Sequence, residues 1–169
     1  NLFQEYPDAQ SILFDDLEVI CSLLPPLPLN LLQTYTPIYV NNTINYGTID
    51  SPVIGRNMHY HSWNGKNWLI SNGLNPNKAG SVEINQVKDY IETRNLWGVG
   101  GVLLHELCHA FHDKHTNLGY GCHLISNAYE TAMNSKLYLS VAVHGSQGRN
   151  GPIKAYACTN CMEFWAELS

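Results

Sequence analysis

The run His105-Glu106-Leu107-Cys108-His109, set inside the weakly charged stretch from Gly100 to Asp113, constrains this chain more than any other feature. On an α-helix successive side chains turn by about 100°, so residues four apart lie about 40° from each other on one face. His105 and His109 can then hold one metal ion together, and zinc is the metal that best fits such a pair. Glu106 lies beside them, where a carboxylate can reach a metal-bound water and act as a general base. Val102, Leu103, Leu107, Ala110 and Phe111 make the run apolar on several faces, which marks a buried helix. A glutamate between two histidines in such a place is costly unless a cation compensates it.

The bulk numbers narrow the setting. A chain of 169 residues and 19.0 kDa is long enough for one domain with a real core. A net charge of -5, a pI near 5.8 and the lack of any basic run argue against nucleic acid as a partner. Hydrophobic residues make up 44%, yet no apolar stretch approaches the roughly 18 residues of a membrane span. A soluble, monomeric domain is expected. The five cysteines, Cys21, Cys108, Cys122, Cys158 and Cys161, are an odd set, so at least one thiol stays unpaired within the chain. The low charged content, abundant Asn and Tyr, and the sequon Asn41-Asn42-Thr43 lean toward a secreted protein. A start at Asn1 rather than Met, with no signal peptide, is expected of a piece of a longer protein.

Ile12, Leu13, Leu17, Ile20, Leu23 and Leu24 recur every three or four residues. They predict an amphipathic helix from Asp8 to Leu24, capped by Asp8 and stopped by Pro25-Pro26. Pro25 to Leu29 then reads as a rigid connector. Thr36 to Asn41 reads as a strand, and Asn57 to Ile70 as a hairpin turning at Asn64-Gly65. His59 and His61 share one face of that hairpin; with no third ligand in view, they read as polar packing across strands. Ser81 to Val87 alternates, giving a strand with Val82, Ile84 and Val87 inward. Placed at the sheet edge beside the metal, residues 81–87 would pair with an extended peptide. His123 to Tyr138 is helical in period, a polar loop with Gly145, Gly148, Gly151 and Pro152 follows Val141, and Thr159 to Leu168 reads as a last helix. No internal repeat is found.

A catalytic zinc needs three protein ligands and an open position, and three residues compete for the third place. His115 has the spacing of the metzincin pattern, but that pattern needs glycine where this chain has His112, and a continued helix turns His115 away. Glu130 ends Asn127-Ala128-Tyr129-Glu130, which resembles the Asn-x-x-Glu signal of thermolysin-like gluzincins, although Asn134 stands where those enzymes carry an Asp. Glu163 lies in Tyr156-Ala157-Cys158-Thr159-Asn160-Cys161-Met162-Glu163-Phe164-Trp165-Ala166-Glu167. Together with the histidine motif, this segment resembles the third-ligand helix of the anthrax lethal factor catalytic domain family and its bacterial and fungal gluzincin relatives.

The resemblance implies that His105, His109 and Glu163 bind zinc, that Glu106 is the base, and that Tyr156 donates a hydrogen bond to the oxyanion. Glu167, one turn beyond Glu163, would orient a histidine ligand from behind, with Asp113 a second candidate for that task. Cys158 and Cys161 have no second Cys-x-x-Cys to join, so a disulfide or a pair of buried thiols is expected, and Cys108 a small core residue. The fold implied is α+β and zincin-like: a small mixed twisted sheet with an edge strand over the cleft, an active-site helix and a third-ligand helix. The activity implied is zinc-dependent hydrolysis of peptide bonds. A zincin-like domain that binds zinc and a partner without cleaving, and a metal hydrolase acting on a non-peptide amide, are the rival expectations.

Overall fold

A computed structural model describes residues 2–42, 44–48, 51–55, 57–142 and 152–169. The first half carries α1 (Leu2–Glu5), α2 (Pro7–Leu23), α3 (Pro26–Tyr35), β1 (Ile38–Val40), β2 (Ile44–Thr48), β3 (Ser51–Gly55), β4 (Met58–Tyr60) and α4 (Lys66–Ser71). The second carries β5 (Val82–Ile84), α5 (Val87–Trp97), α6 (Gly101–His115), α7 (His123–Ser135), β6 (Val141–Ala142), β7 (Pro152–Ile153) and α8 (Cys161–Leu168). The architecture is mixed α+β, and no described helix is long and apolar enough to cross a membrane.

The apolar period of the first helix is real, but its start is set by Pro7 in the first turn rather than by Asp8 as a cap. The proline-rich segment after it is the beginning of α3, not a connector. Pro26 and Pro28 sit in the first turn, where backbone N–H groups have no helical acceptor to lose, and Leu29 N–H donates the first bond to Pro25 O.

The expected hairpin over 57–70 also gives way. Gly65 has φ of -79° instead of the positive value a tight hairpin turn requires, and Lys66–Ser71 is helical. β4 pairs instead with β5, far along the chain: Met58 faces Ile84, His59 faces Glu83 and Tyr60 faces Val82 in antiparallel register. β1 pairs with the other side of β5 in parallel, giving the order β1-β5-β4. β5 is therefore the central strand, with Val82, Glu83 and Ile84 all fully buried. Residues 81–87 do not form the free edge expected of them; β4 is the edge strand that lies beside α6.

One face of the sheet packs on α6, and the core joins Met58, Val82 and Ile84 to Leu103, Leu107, Ala110, Ile20, Leu32 and Tyr90. The start of α6 is held by a buried carboxylate. Asp16 of α2 accepts hydrogen bonds from Gly100 N–H (2.8 Å), Arg94 Nε (2.9 Å) and the Tyr90 hydroxyl, tying α2, α5 and the α6 N-terminus together. Gly100 has φ of +77°, a left-handed conformation that favours glycine at the entry to α6, although a β-carbon there would meet only ordinary contact with Ile20 at 3.4 Å. The polar loop around Gly145, Gly148 and Gly151, and Thr43 of the sequon, lie outside the described residues. Asn41 itself turns inward, its Nδ2 donating to Glu83 Oε1 (2.7 Å) and Ile84 O (3.1 Å), bonds that a glycan on that nitrogen would break.

Candidate metal centre

α6 carries His105, Glu106 and His109, all buried, on the face turned to β4 and α8. α8 brings the carboxylate. Its N-cap, Asn160, accepts from the N–H groups of Met162 and Glu163 (both 2.9 Å), which fixes Glu163 in the first helical turn. Trp165 Nε1 donates to Cys108 O (3.0 Å) and fastens α8 along α6.

The result is a triangle. His105 Nε2 and His109 Nε2 are 3.1 Å apart, and Glu163 Oε2 lies 3.2 Å from the first and 3.3 Å from the second. Three ligands about 2.1 Å from a tetrahedral zinc would be about 3.4 Å from one another, so the group fits such an ion. Glu163 Oε2 is buried and receives no well-directed hydrogen bond. A buried carboxylate oxygen whose close neighbours are two imidazole nitrogens is an arrangement that a cation satisfies.

The electrostatics agree. The His105 ring and then the His109 ring, close beside the carboxyl, outweigh burial and lower the Glu163 pKa to about 2. Burial opposes the charged form of His105, but Glu163, Glu106 and Glu167 together raise its pKa. Burial, only partly offset by His109 and His105, pushes Glu106 up to about 7. One Glu106 oxygen, Oε2, accepts the Tyr60 N–H of β4 at 2.7 Å, which anchors the carboxylate between edge strand and helix.

Compared with protein-family models, with curated proteins and with solved structures, the chain matches none. The site must be judged on its own geometry.

Glu167 Oε1 stands 3.2 Å from His105 Nδ1, on the far side of the ring from the triangle, where a carboxylate orients a ligand. Tyr156 is 56% exposed and lines the same cleft as His105, Glu106 and Glu163. The two rival ligands lie elsewhere: His115 packs against Tyr35 and Phe111, and Glu130 is exposed on α7. Asp113 braces no histidine; it accepts from Tyr60 Oη (3.1 Å), Ser62 Oγ (3.0 Å) and Trp63 N–H (2.8 Å), and so ties the segment after β4 to the end of α6. All five cysteines are free thiols, so Cys158 and Cys161 form no disulfide; Cys158 is buried and donates to Tyr138 O. Cys108 is buried as expected, and burial raises its thiol to about 11.

Sequence reasoning missed two residues. Tyr60 N–H reaches Glu106 only because β4 pairs with β5. Tyr120 lines the cleft from the turn after α6; burial, then the charges of Asp113, Glu106 and Glu163, raise its pKa and keep its hydroxyl protonated. Neither carries a local signal. The structure also corrects the account of His59 and His61, since Glu83, facing His59 across the sheet, completes a second group within reach of one cation. That group is already partnered. Asn85 Nδ2 meets His59 Nδ1 (2.8 Å), His59 Nε2 meets His61 Nδ1 (3.2 Å), His61 Nε2 meets Glu83 Oε2 (2.6 Å), and Lys78 neutralises the carboxylate. In the His105–His109–Glu163 triangle the three ligand atoms converge on one another, and the group opens on a cleft of about 350 Å³.

Proposed function

We propose that this protein is a zincin-like, zinc-dependent peptidase, with His105, His109 and Glu163 as ligands and Glu106 as general base. The observation that carries the reading is the triangle of ligand atoms with the Glu106 carboxylate beside it, at the base of a cleft bordered by an edge strand. When bound, zinc supplies a Lewis acid and lowers the pKa of a coordinated water toward 7.

The chain's own residues account for the rest. Glu106, held by Tyr60 N–H, takes a proton in the cleft and passes it to the leaving amine. The Tyr156 and Tyr120 hydroxyls are donors for the developing oxyanion. β4, the edge strand beside the cleft, is where an extended peptide would lie, the part first expected of residues 81–87, with its Tyr60 N–H already committed to Glu106.

The test is a broad peptide-library digest with wild type and Glu106→Gln. Chelator-sensitive cleavage is expected from the wild type. A fall of at least about a thousandfold is expected in the variant with zinc still bound. Zinc bound by the wild type with every peptide left intact would refute the reading and favour a zinc-holding interaction domain.

A further inference from the structure

On the side of α6 turned away from the metal group, the core is not filled. Leu107 leaves the helix about 200° around from both His105 and His109, and it lines a space of about 240 Å³ between α2, α3 and β1. Leu17 and Ile20 of α2, Leu29 and Leu32 of α3 and Ile38 of β1 share its walls. None of the described residues around it is charged. Protein interiors leave few voids larger than a water molecule, so a hollow of this size is an exception with room for a guest.

Two further observations say what kind of guest fits. Thr36, the residue after α3, lines the hollow, is only 7% exposed, and its Oγ1 has no hydrogen-bond partner. Its backbone N–H is satisfied, donating to Leu32 O at 2.9 Å, so the hydroxyl alone is left over. A buried hydroxyl without a partner is costly. One such group does not suffice for a water, which needs about two to four polar partners. It does suffice for a single hydroxyl or amide carried in by an otherwise apolar molecule. At the opening, Cys21 and Gln33 are exposed, and Gln33 Nε2 donates to Cys21 Sγ at 3.8 Å. Sulfur is a weak acceptor, so the mouth can part without breaking a strong contact.

We propose that this hollow is a binding site for a small neutral amphiphile, an apolar body with one uncharged hydrogen-bonding head that meets Thr36. Its size is about six to ten non-hydrogen atoms, since a dry apolar cavity of about 150 Å³ holds a benzene. A charged head is excluded because no countercharge lines the walls. The site is separate from the metal group and does not depend on the reading given for it.

Leucine-methyl NMR titration of the intact chain with 1-hexanol, 1-butanol and 1-chlorobutane tests this. Saturable shifts are expected at Leu17, Leu29, Leu32 and Leu107, with each added methylene of the alcohol tightening binding about three- to fourfold. Thr36→Val keeps the shape of the wall and removes the hydroxyl. It should weaken both alcohols about fivefold and leave 1-chlorobutane unchanged. Cys21→Trp, at an exposed position, should plug the mouth and weaken all three probes at least about tenfold while the other methyl signals stay native. Shifts that never saturate, or that fall only on other leucines, would overturn the proposal. So would alcohol affinities unchanged in Thr36→Val, equal losses of alcohol and chloride there, or binding that survives Cys21→Trp undiminished. A buried water on Thr36 with no probe bound would do the same.

Discussion

Glu83→Gln tests how the sheet under the cleft is held. The Glu83 side chain is fully buried and accepts from His61 Nε2 (2.6 Å), from Asn41 Nδ2 (2.7 Å) and from the Lys78 ammonium. Burial works against its charge, but the donors His61, Lys78 and Asn41 outweigh it and lower its pKa from 4.5 to about 2. That drop corresponds to about 3 kcal/mol of folding free energy, within the range measured when one partner of a buried ion pair is removed. At pH 7 the variant should be less stable by about 3 kcal/mol and melt about 6–12 °C lower. Because the folded pKa is the depressed one, the contribution is present in full above about pH 4.5 and is lost as pH falls toward about 2. At pH 3 roughly half of the difference should remain. Urea unfolding of both proteins at pH 7 and pH 3 measures it. A gap under about 1 kcal/mol at pH 7, or one that does not shrink at pH 3, would refute the reasoning.

Three further outcomes are expected besides the loss of turnover in Glu106→Gln. Gly100→Ala forces a β-carbon into a backbone with φ of +77° at the entry to α6 and should cost about 1–2 kcal/mol by thermal melt. Asn160→Ala removes the acceptor for Met162 N–H and Glu163 N–H, which should cost about 1 kcal/mol; a zinc titration should show weaker binding as the Glu163 turn frays. Zinc at about a thousand times its Kd should stabilise wild type by about 4 kcal/mol. Chelation should reverse that gain, and Glu163→Ala should show a much smaller response in the same melts.

The parts of the site that were legible in the sequence are those whose geometry is local. A four-residue step puts His105 and His109 on one helical face in any fold that keeps the helix, and the same step relates Glu163 to Glu167. The hairpin failed for a related reason. Asn64-Gly65 is a turn signal only when both flanks are strands, and Lys66–Ser71 forms helix, leaving β4 to find its partner in β5. α5 and the β2–β3 pair carried too little periodicity to be predicted, although α5 supplies Trp97 and Arg94 to the site and its support.

By itself the sequence determined the α6 histidine pair with its adjacent glutamate, and the spacing of carboxylates along α8, because backbone rotation per residue settles such relations without reference to the rest of the chain. Only the tertiary structure decided that α8 lies along α6 with Glu163 against both imidazoles, and that β4 rather than 81–87 is the edge beside the cleft. It also made Glu83 the partner of His61 and Lys78. Those choices depend on which apolar faces are buried against one another, and burial is a property of the assembled core that no short stretch of residues contains.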